Sequence, residues 1–317
     1  MKAFLIVLMW VWSSAVWAQS YPSKSIRIIV PFTPGSATDI MARIVGERLN
    51  AAWGQPVVVE NKPGAGGTIG IRDTTRADPD GYTLVLVSSG HAVNHVLYKD
   101  LGYDTLKDLA SVAMLGSLPS VLIVPPNSPA NSVKELVAML KAKPGQYNYA
   151  TAGVGSGAHV STEKFNVAAG VKAVHVPLKG TPPILTETMG GRVEYAMVPA
   201  VSGMGPVRDG KVKPLAVTTS KRVAALPNVP TLGEAGFPEG ESTFWLALLA
   251  PAKTPPEILA KVNAEVNRAL STPEVIERLA KLGTEPMSMS PAQADAFIRR
   301  EYNELGAVMR AAGLTPQ

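Results

Sequence analysis

Residues 30–43 read VPFTPGSATDIMAR and contain the pattern on which the interpretation of the fold depends. An apolar, strand-like run gives way to a turn containing Gly35, and an amphipathic helical pattern follows at once. The first N–H groups of a helix have no partner within the helix, and the positive end of the helix dipole lies beside them. A strand that leads through a glycine turn into a helix can therefore receive an anion. The alternative is that Ser36, Thr38 and Asp39 only cap the helix.

The same alternation of short apolar strands and helical patterns runs through most of the chain. It indicates parallel α/β sheets with ligands bound at the carboxyl ends of the strands. A length of 317 residues suggests two domains. We therefore expect two α/β lobes, residues 21–118 plus 220–317 and residues 119–219. Two segments that cross between such lobes leave a cleft, which is where small ligands bind.

The N-terminal stretch MKAFLIVLMWVWSSAVWAQS has the features of a secretory signal peptide. Lys2 precedes an apolar core, and a small-x-small cleavage site ends at Ala18. We expect residues 1–18 to be removed and the mature protein to be exported to the periplasm. The chain contains no cysteine, which excludes disulfides, a thiol nucleophile and cysteine-ligated metals.

The charge of the chain argues against nucleic acid as a partner. Thirty basic and 25 acidic side chains give +5, and removal of Lys2 leaves +4. The basic residues are scattered and form no stripe interleaved with aromatic residues. A weak attraction for small anions is the inference that this balance supports.

Residues 147–160, YNYATAGVGSGAHV, form the strongest local pattern. The glycines at 153–158 fit G-x-G-x-x-A, which is typical of dinucleotide sites. Such a site also needs an acidic residue about 20 residues later to bind the ribose, and the next strand ends instead in PLKG at 177–180. We therefore expect no nucleotide cofactor. The turn is interpreted as a second helix N-terminus that receives a carboxylate, with Ser156 and His159 beside it.

Two other chemistries are kept as alternatives to binding. Ser156 is a candidate nucleophile, but the elbow G-x-S-x-G requires glycine where this chain has Val154. His91 and His95 have the i, i+4 spacing of a helical metal pair, but the glutamate of H-E-x-x-H is absent. The alternatives are thus a periplasmic dehydrogenase or hydrolase at the 153–158 turn, or a metal-capturing protein.

Taken together, several stretches resemble the periplasmic receptors of tripartite tricarboxylate transporters, the Bug-type extracytoplasmic solute receptors. They span nearly the whole mature chain in one order: YPSKSIRIIVPFTPGSATDIMAR, GQPVVVENKPGAGGTIG, ADPDGYTLVLVSSGHAVN, NYATAGVGSGAH, VPLKG, GGRVEYAMV, LAVTTSKRVAALPNVPTLGEAGFP and LLAPAKTPPEILAKVN. The resemblance implies a two-lobed, type II-like periplasmic binding protein fold without enzymatic activity or cofactor. It also implies closure on a small carboxylate, which is delivered to a membrane permease. We expect a monomer.

The resemblance further implies a set of ligand-binding residues at the turns that follow the strands. They are Phe32, Gly35, Ser36, Ala37, Thr38, Asp39, Ser88, Ser89, His91, Thr151, Gly155, Ser156, His159, Leu178, Lys179, Gly180 and Val198. Leu178 stands where the family usually has Tyr, and Val198 where it usually has an Asp that would hold a ligand ammonium. Because an enclosed, unpaired ammonium is costly, we expect a mono-, di- or tricarboxylate with an apolar or aromatic body and no ammonium. The alternative is that Asp39 takes the ammonium.

Overall fold

The computed structural model describes residues 21–316, which form two five-stranded sheets with apolar layers on both faces of each sheet. The first sheet contains, in spatial order, β2 (Val57–Asn61), β1 (Ile26–Val30), β3 (Thr83–Ser88), β10 (Phe244–Pro251) and β4 (Leu109–Leu118). The second contains β7 (Val174–Pro177), β6 (Asn148–Thr151), β8 (Tyr195–Pro199), β5 (Ser120–Val124) and β9 (Lys213–Val217). The expected two-lobed α/β fold is thus the fold of the chain.

The two sheets are built on the same plan. In each, one strand, β1 or β6, runs parallel to both of its neighbours. In each, a strand that enters from the other lobe, β10 or β5, runs antiparallel to the strands on either side. Since parallel strands end at the same edge of a sheet, the turns after β1 and β3 meet those after β6 and β7 at the cleft.

Helices surround each sheet. Those of the first lobe are α1 (Ala37–Trp53), α2 (Thr68–Thr75), α3 (Asn94–Leu97), α8 (Pro256–Leu270), α9 (Pro273–Lys281) and α10 (Pro291–Ala311). Those of the second lobe are α4 (Val133–Ala142), α5 (Gly157–Ala169), α6 (Thr181–Met189) and α7 (Ala200–Arg208). Short 3₁₀ turns occupy 65–67, 89–93 and 238–240.

The position of α1 follows from the pleat of β1. Successive side chains of a strand point to opposite faces, so Ile28 packs with Ile44 and Leu49 of α1, whereas Ile29 packs with Trp245 on the other face. All five side chains are at most 1% exposed. Burial of side chains of this size contributes about 1.5–3 kcal/mol each. This packing holds the N-terminus of α1 at the cleft.

The chain crosses between the lobes twice. The first crossing is at Pro119, between β4 and β5. After β9, however, the chain stays on the second sheet, because the Leu232 N–H donates to the Val217 carbonyl at 3.0 Å and the Ser242 N–H donates to the Thr218 carbonyl at 2.9 Å. We therefore propose that the second crossing lies at 242–244 instead of near residue 220.

Residues 1–18, predicted to be a signal peptide, lie outside the described residues. Across residues 21–316, none of the helices combines the length and the apolar character that a membrane crossing would need.

Candidate functional site

A cavity between the lobes encloses about 280 Å³ of empty space, counting its opening to solvent. Its walls come from both lobes: Phe32, Ser36, Ala37, Thr38, Ser88, Ala152, Ser156, Gly157, Ala158, Gly180, Thr181, Pro199 and Phe244. None of these residues is charged. Because the 280 Å³ includes open space at the mouth, the enclosed part is smaller, and the cavity suits a ligand with few non-hydrogen atoms.

Three helices begin in the cavity wall. They are α1 at Ala37 in the first lobe, and α5 at Gly157 and α6 at Thr181 in the second. The N–H groups of a first turn have no partner within the helix, and the positive end of the dipole lies there. The wall therefore favours an anion without a side-chain cation.

The first-lobe turn is braced by an ion pair behind the wall. Gly35 has a φ of +82°, which favours glycine, and its N–H donates to Asp39 Oδ2 at 2.9 Å. Asp39 also accepts hydrogen bonds from Arg43 and from Asn61 Nδ2, the latter at 3.0 Å. Burial raises the pKa of Asp39, but the bonds from Arg43, Gly35 and Asn61 outweigh it and leave the pKa below its ordinary value.

The second-lobe turn is braced by two neutral histidines. Gly155 has a φ of +75°, and its N–H donates to His159 Nδ1 at 3.2 Å. The His159 ring stacks on His175 with 4.4 Å between ring centroids, and His175 Nε2 lies 2.6 Å from Thr151 Oγ1. Burial lowers the pKa of His159 to about 3 and that of His175 to about 4. Both rings are therefore uncharged at neutral pH.

Thr38 contributes to the wall a buried hydroxyl that can bond a ligand oxygen. It is 1% exposed, and its Oγ1 has no hydrogen-bond partner within residues 21–316. By contrast, Ser36 Oγ donates to the Thr33 carbonyl at 2.6 Å, and Ser156 Oγ accepts from the His159 N–H at 3.2 Å. An unsatisfied buried hydroxyl costs about 1–3 kcal/mol, so a ligand acceptor or donor at Thr38 would be favourable.

The structure brings part of the predicted site to the cavity. The predicted residues in the wall are Phe32, Ser36, Ala37, Thr38, Ser88, Ser156 and Gly180. The predicted residues outside the wall are Gly35, Asp39, Ser89, His91, Thr151, Gly155, His159, Leu178, Lys179 and Val198. Gly35, Asp39, Thr151, Gly155 and His159 hold the two turns from behind. Ligand contact by the wall residues stays a prediction.

Val198 does not face the cavity. It is fully buried in the second-lobe core and faces Gly203 of α7, because alternate residues of β8 point to opposite sides of the sheet. The next residue, Pro199, lines the cavity. The residue of β8 that lines the cavity is therefore Pro199 and not Val198.

Six wall residues were not predicted from the sequence: Ala152, Gly157, Ala158, Thr181, Pro199 and Phe244. Gly157, Ala158 and Thr181 are the first residues of helices, so the helix-start pattern is a signal that locates them. Phe244 begins β10 and reaches Gly157 across the cleft. No local pattern around Phe244 indicates this position.

The two histidines considered as a metal pair have separate surroundings. His91 stacks near Tyr103 with 6.4 Å between ring centroids, and His95 stacks on Tyr302 at 3.5 Å. Burial lowers the pKa of each to about 4. In the part of the chain that the structure describes, no group of three or more His, Asp or Glu side chains is placed to hold a metal ion.

Comparison with known proteins agrees with this two-lobed architecture. Residues 41–314 match the model of the tripartite tricarboxylate transporter family receptor. The chain is 38% identical to protein BugT of Bordetella pertussis over 305 residues, which is 95% of this chain and 93% of that protein. It thus belongs to this receptor family and is a solute-binding receptor, not an enzyme.

Solved structures of similar sequence have the same fold. The periplasmic binding protein BugD superposes with a TM-score of 0.90 at 32% identity, covering 94% of this chain and all of that one. MatC from Rhodopseudomonas palustris, solved with bound malate, gives a TM-score of 0.87 at 33% identity, covering 91% of this chain and 99% of that one.

Proposed function

We propose that this protein captures a small carboxylate in the interlobe cavity, in the periplasm, and presents it to the membrane permease of a tripartite tricarboxylate-type transporter. The leader pattern at residues 1–18 supports export, and membership of the receptor family supports a permease as partner. A monomer suffices, because both halves of the cavity come from one chain.

The observation that carries this proposal is the wall itself. Three helix N-termini surround the cavity, and no wall residue is ionised. A carboxylate accepts hydrogen bonds strongly from backbone N–H groups, and such charge-assisted bonds are about twice as strong as neutral ones. Because both lobes contribute helix starts, a ligand with two carboxylates has a cradle at each end, and malate in MatC is a ligand of this class.

The ligand is further proposed to lack an ammonium group. An enclosed ammonium needs a carboxylate or several carbonyls as partners. Where the family usually has Asp, this chain has Val198, and the neighbouring Pro199 lines the wall. Asp39 is an alternative partner, but it lies outside the wall and already accepts bonds from Gly35, Arg43 and Asn61. The wall thus offers helix N–H groups to a carboxylate and no carboxylate side chain to a cation.

Calorimetry with succinate, malate and aspartate tests this function. Malate and aspartate differ at one carbon, where malate carries a hydroxyl and aspartate an ammonium. We expect succinate or malate to bind and aspartate to bind at least about tenfold more weakly, which corresponds to about 1.4 kcal/mol. Tighter binding of aspartate would overturn the absence of an ammonium. If no carboxylate bound in a wider panel that includes adipate and benzoate, the proposed function would be wrong.

A pair of glycine variants shows whether binding occurs in this cavity. A Cβ at Gly157 would lie 2.4 Å from Phe244 Cε2 and 2.8 Å from Ser89 Oγ, so Gly157→Val should prevent closure around the ligand. A Cβ added at Gly205, in α7, would have no atom within 4 Å, so Gly205→Val is the matched control. We expect carboxylate binding to be lost in Gly157→Val and kept in Gly205→Val.

A further inference from the structure

A glycine-rich loop of the first lobe lies against the second lobe outside the cavity wall. In residues 64–67, GAGG, the φ angles are +143°, +44°, +61° and +102°. Ala65 is the one residue other than glycine with a positive φ within residues 21–316. Strained backbone of this kind persists only where the surrounding structure holds it, and it concentrates at functional sites.

The loop comes very close to the backbone carbonyl of Val154 in the other lobe. A Cβ at Gly66 would lie 1.7 Å from the carbonyl oxygen of Val154, so only glycine permits this approach. The hydroxyl of Tyr98, also in the first lobe, donates to the same oxygen at 2.7 Å. We call this arrangement of residues 64–67, Tyr98 and Val154 the Val154 latch.

The surroundings of the latch favour a dry, well-defined contact. Tyr98 and Val154 pack against an interlobe apolar cluster that contains Leu97, Val160 and Met309. Burial raises the pKa of Tyr98 to about 12, so its hydroxyl keeps the proton that it donates. A hydrogen bond between lobes in such a place exists only when the lobes are in contact.

We infer that Gly66 and Tyr98 set the ligand affinity of this receptor without touching the ligand, by holding the carbonyl oxygen of Val154 in the closed state. Neither residue lines the cavity. A contact that is made only in the closed state raises the closed population, and the apparent dissociation constant falls in proportion. The inference rests on the proposed function, since it assumes that closure encloses the carboxylate.

The latch can be tested with two substitutions and two matched controls. Tyr98→Phe removes the donor, and Gly66→Ala places a methyl group against Val154. Tyr82→Phe removes a hydroxyl that is bonded only within the first lobe, to Ser23. Gly54→Ala changes a glycine with nearly the same φ, +64°, but with nothing within 4 Å of the added Cβ. Each control therefore makes the same chemical change as the latch variant it is paired with, but leaves the Val154 contact between the lobes in place.

Closure can be followed by energy transfer between two fluorophores. Because the chain contains no cysteine, Arg76→Cys in the first lobe and Lys172→Cys in the second, both exposed positions, provide the sole labelling sites. Single-molecule measurements then report the closed fraction with and without malate, and calorimetry reports the affinity for malate. Thermal unfolding of every variant separates a loss of closure from a loss of folding.

We expect both latch variants to have a smaller closed fraction than their controls. Loss of one hydrogen bond should weaken malate binding of Tyr98→Phe roughly 5- to 10-fold, mainly through faster dissociation. Gly66→Ala should lose more, and both controls should stay within about twofold of the parent protein.

Different outcomes separate the latch from the proposed function. If malate binds equally to the parent and to both latch variants, the latch is wrong and the function stands. If no carboxylate binds, but the closed fraction still falls in the latch variants alone, the ligand class is wrong and the latch stands. A parent protein that never shows a high-transfer state, or a closed fraction equal in variants and controls, would also overturn the latch.

Discussion

The turn at residues 33–39 of the first lobe and the turn at 153–159 of the second have nearly the same backbone geometry. Their N-cap serines, Ser36 and Ser156, have φ, ψ of −69°, 160° and −71°, 159°. In each turn the preceding glycine has a positive φ and donates its N–H to the side chain four residues later. The two lobes thus use the same hydrogen bond, from a glycine N–H to a side chain, to hold the turn before the helix.

The acceptor in that shared position differs between the lobes. The first lobe uses the carboxylate of Asp39, which is paired with Arg43, and the second uses the neutral imidazole of His159, which stacks on His175. In both turns the glycine N–H thus has a side-chain acceptor, which is charged in the first lobe and neutral in the second. Its chemistry decides how each turn responds to pH.

The largest effect is expected from replacing the turn glycines. Proline cannot reach the φ of +82° at Gly35 or +75° at Gly155, and it lacks the N–H that Asp39 or His159 accepts. Each of Gly35→Pro and Gly155→Pro should weaken carboxylate binding about 100-fold or more, since a displaced turn loses one or two hydrogen bonds to the ligand, each worth about 1.5–3 kcal/mol when the acceptor is charged. Calorimetry measures the loss, and circular dichroism verifies the fold.

The matched control for this prediction is Gly210→Pro. Gly210 has a φ of +67° and lies outside the cavity wall. We expect it to lose stability while the folded protein keeps its affinity. Unchanged affinity in either turn variant would show that the shared geometry is not what receives the ligand.

An intermediate effect is expected from the pH dependence of stability. The pKa of His159 is lowered to about 3 in the folded protein, whereas an unfolded histidine titrates near 6.5. The stability that the neutral ring provides is therefore complete above about pH 6.5 and is lost as the pH falls toward the folded pKa. His159→Asn keeps an acceptor that does not titrate. As the pH falls from 6 to 4.5, the unfolding free energy of both proteins should decrease. The decrease should be about 1.4 kcal/mol per pH unit smaller for His159→Asn than for the parent.

Asp39→Asn is the control for the pH measurement. The folded pKa of Asp39 is lowered, so its contribution is present above the unfolded value near 3.9 and is lost only at lower pH. This variant should be less stable than the parent but should keep the parent's slope between pH 6 and 4.5. Denaturant titrations at several pH values measure both slopes. Equal slopes for His159→Asn and the parent would contradict the claim that the uncharged ring of His159 stabilises the second-lobe turn.

The smallest effect is expected from the two N-cap serines. Ser156 Oγ caps α5 by accepting the His159 N–H, whereas Ser36 Oγ donates to the Thr33 carbonyl and does not cap α1. Ser156→Ala and Ser36→Ala should each reduce the free energy of unfolding by about 1 kcal/mol. Ser132→Ala, which removes the remote cap of α4, is the control. If Ser36→Ala weakens ligand binding about tenfold or more while Ser132→Ala does not, the Ser36 hydroxyl also contacts the ligand.

Much of the fold could be predicted because its signals are local. The strand, glycine turn and helix start at residues 30–43 and again at 147–160 lie within one short stretch each, and both turns reach the cavity through Ser36 and Ser156. The α/β class follows from the alternation of strands and helices, and the family follows from the order of its stretches along the chain.

The repeated geometry of the turns is not visible as a sequence repeat. PGSATD and VGSGAH share a glycine and a serine, but their acceptors, Asp39 and His159, are chemically different. Sequence alone suggested that both acceptors bind the ligand. A side chain that contacts a ligand and one that braces the turn behind it have the same spacing, and only their directions in space distinguish them.

The sequence by itself determined the α/β class, the cysteine-free composition and the helix starts that can receive an anion, because these depend on residues close together in the chain. Tertiary structure decided which side of the wall each side chain faces. The pleat of β8 turns Val198 into the core and Pro199 toward the cavity, and β10 returns Phe244 to a wall whose other parts lie far earlier in the chain. The stacking of His159 on His175 likewise depends on how the fold brings together α5 and β7, which are separate elements of the chain. These positions are set by strand order and packing between distant segments, which no local pattern contains.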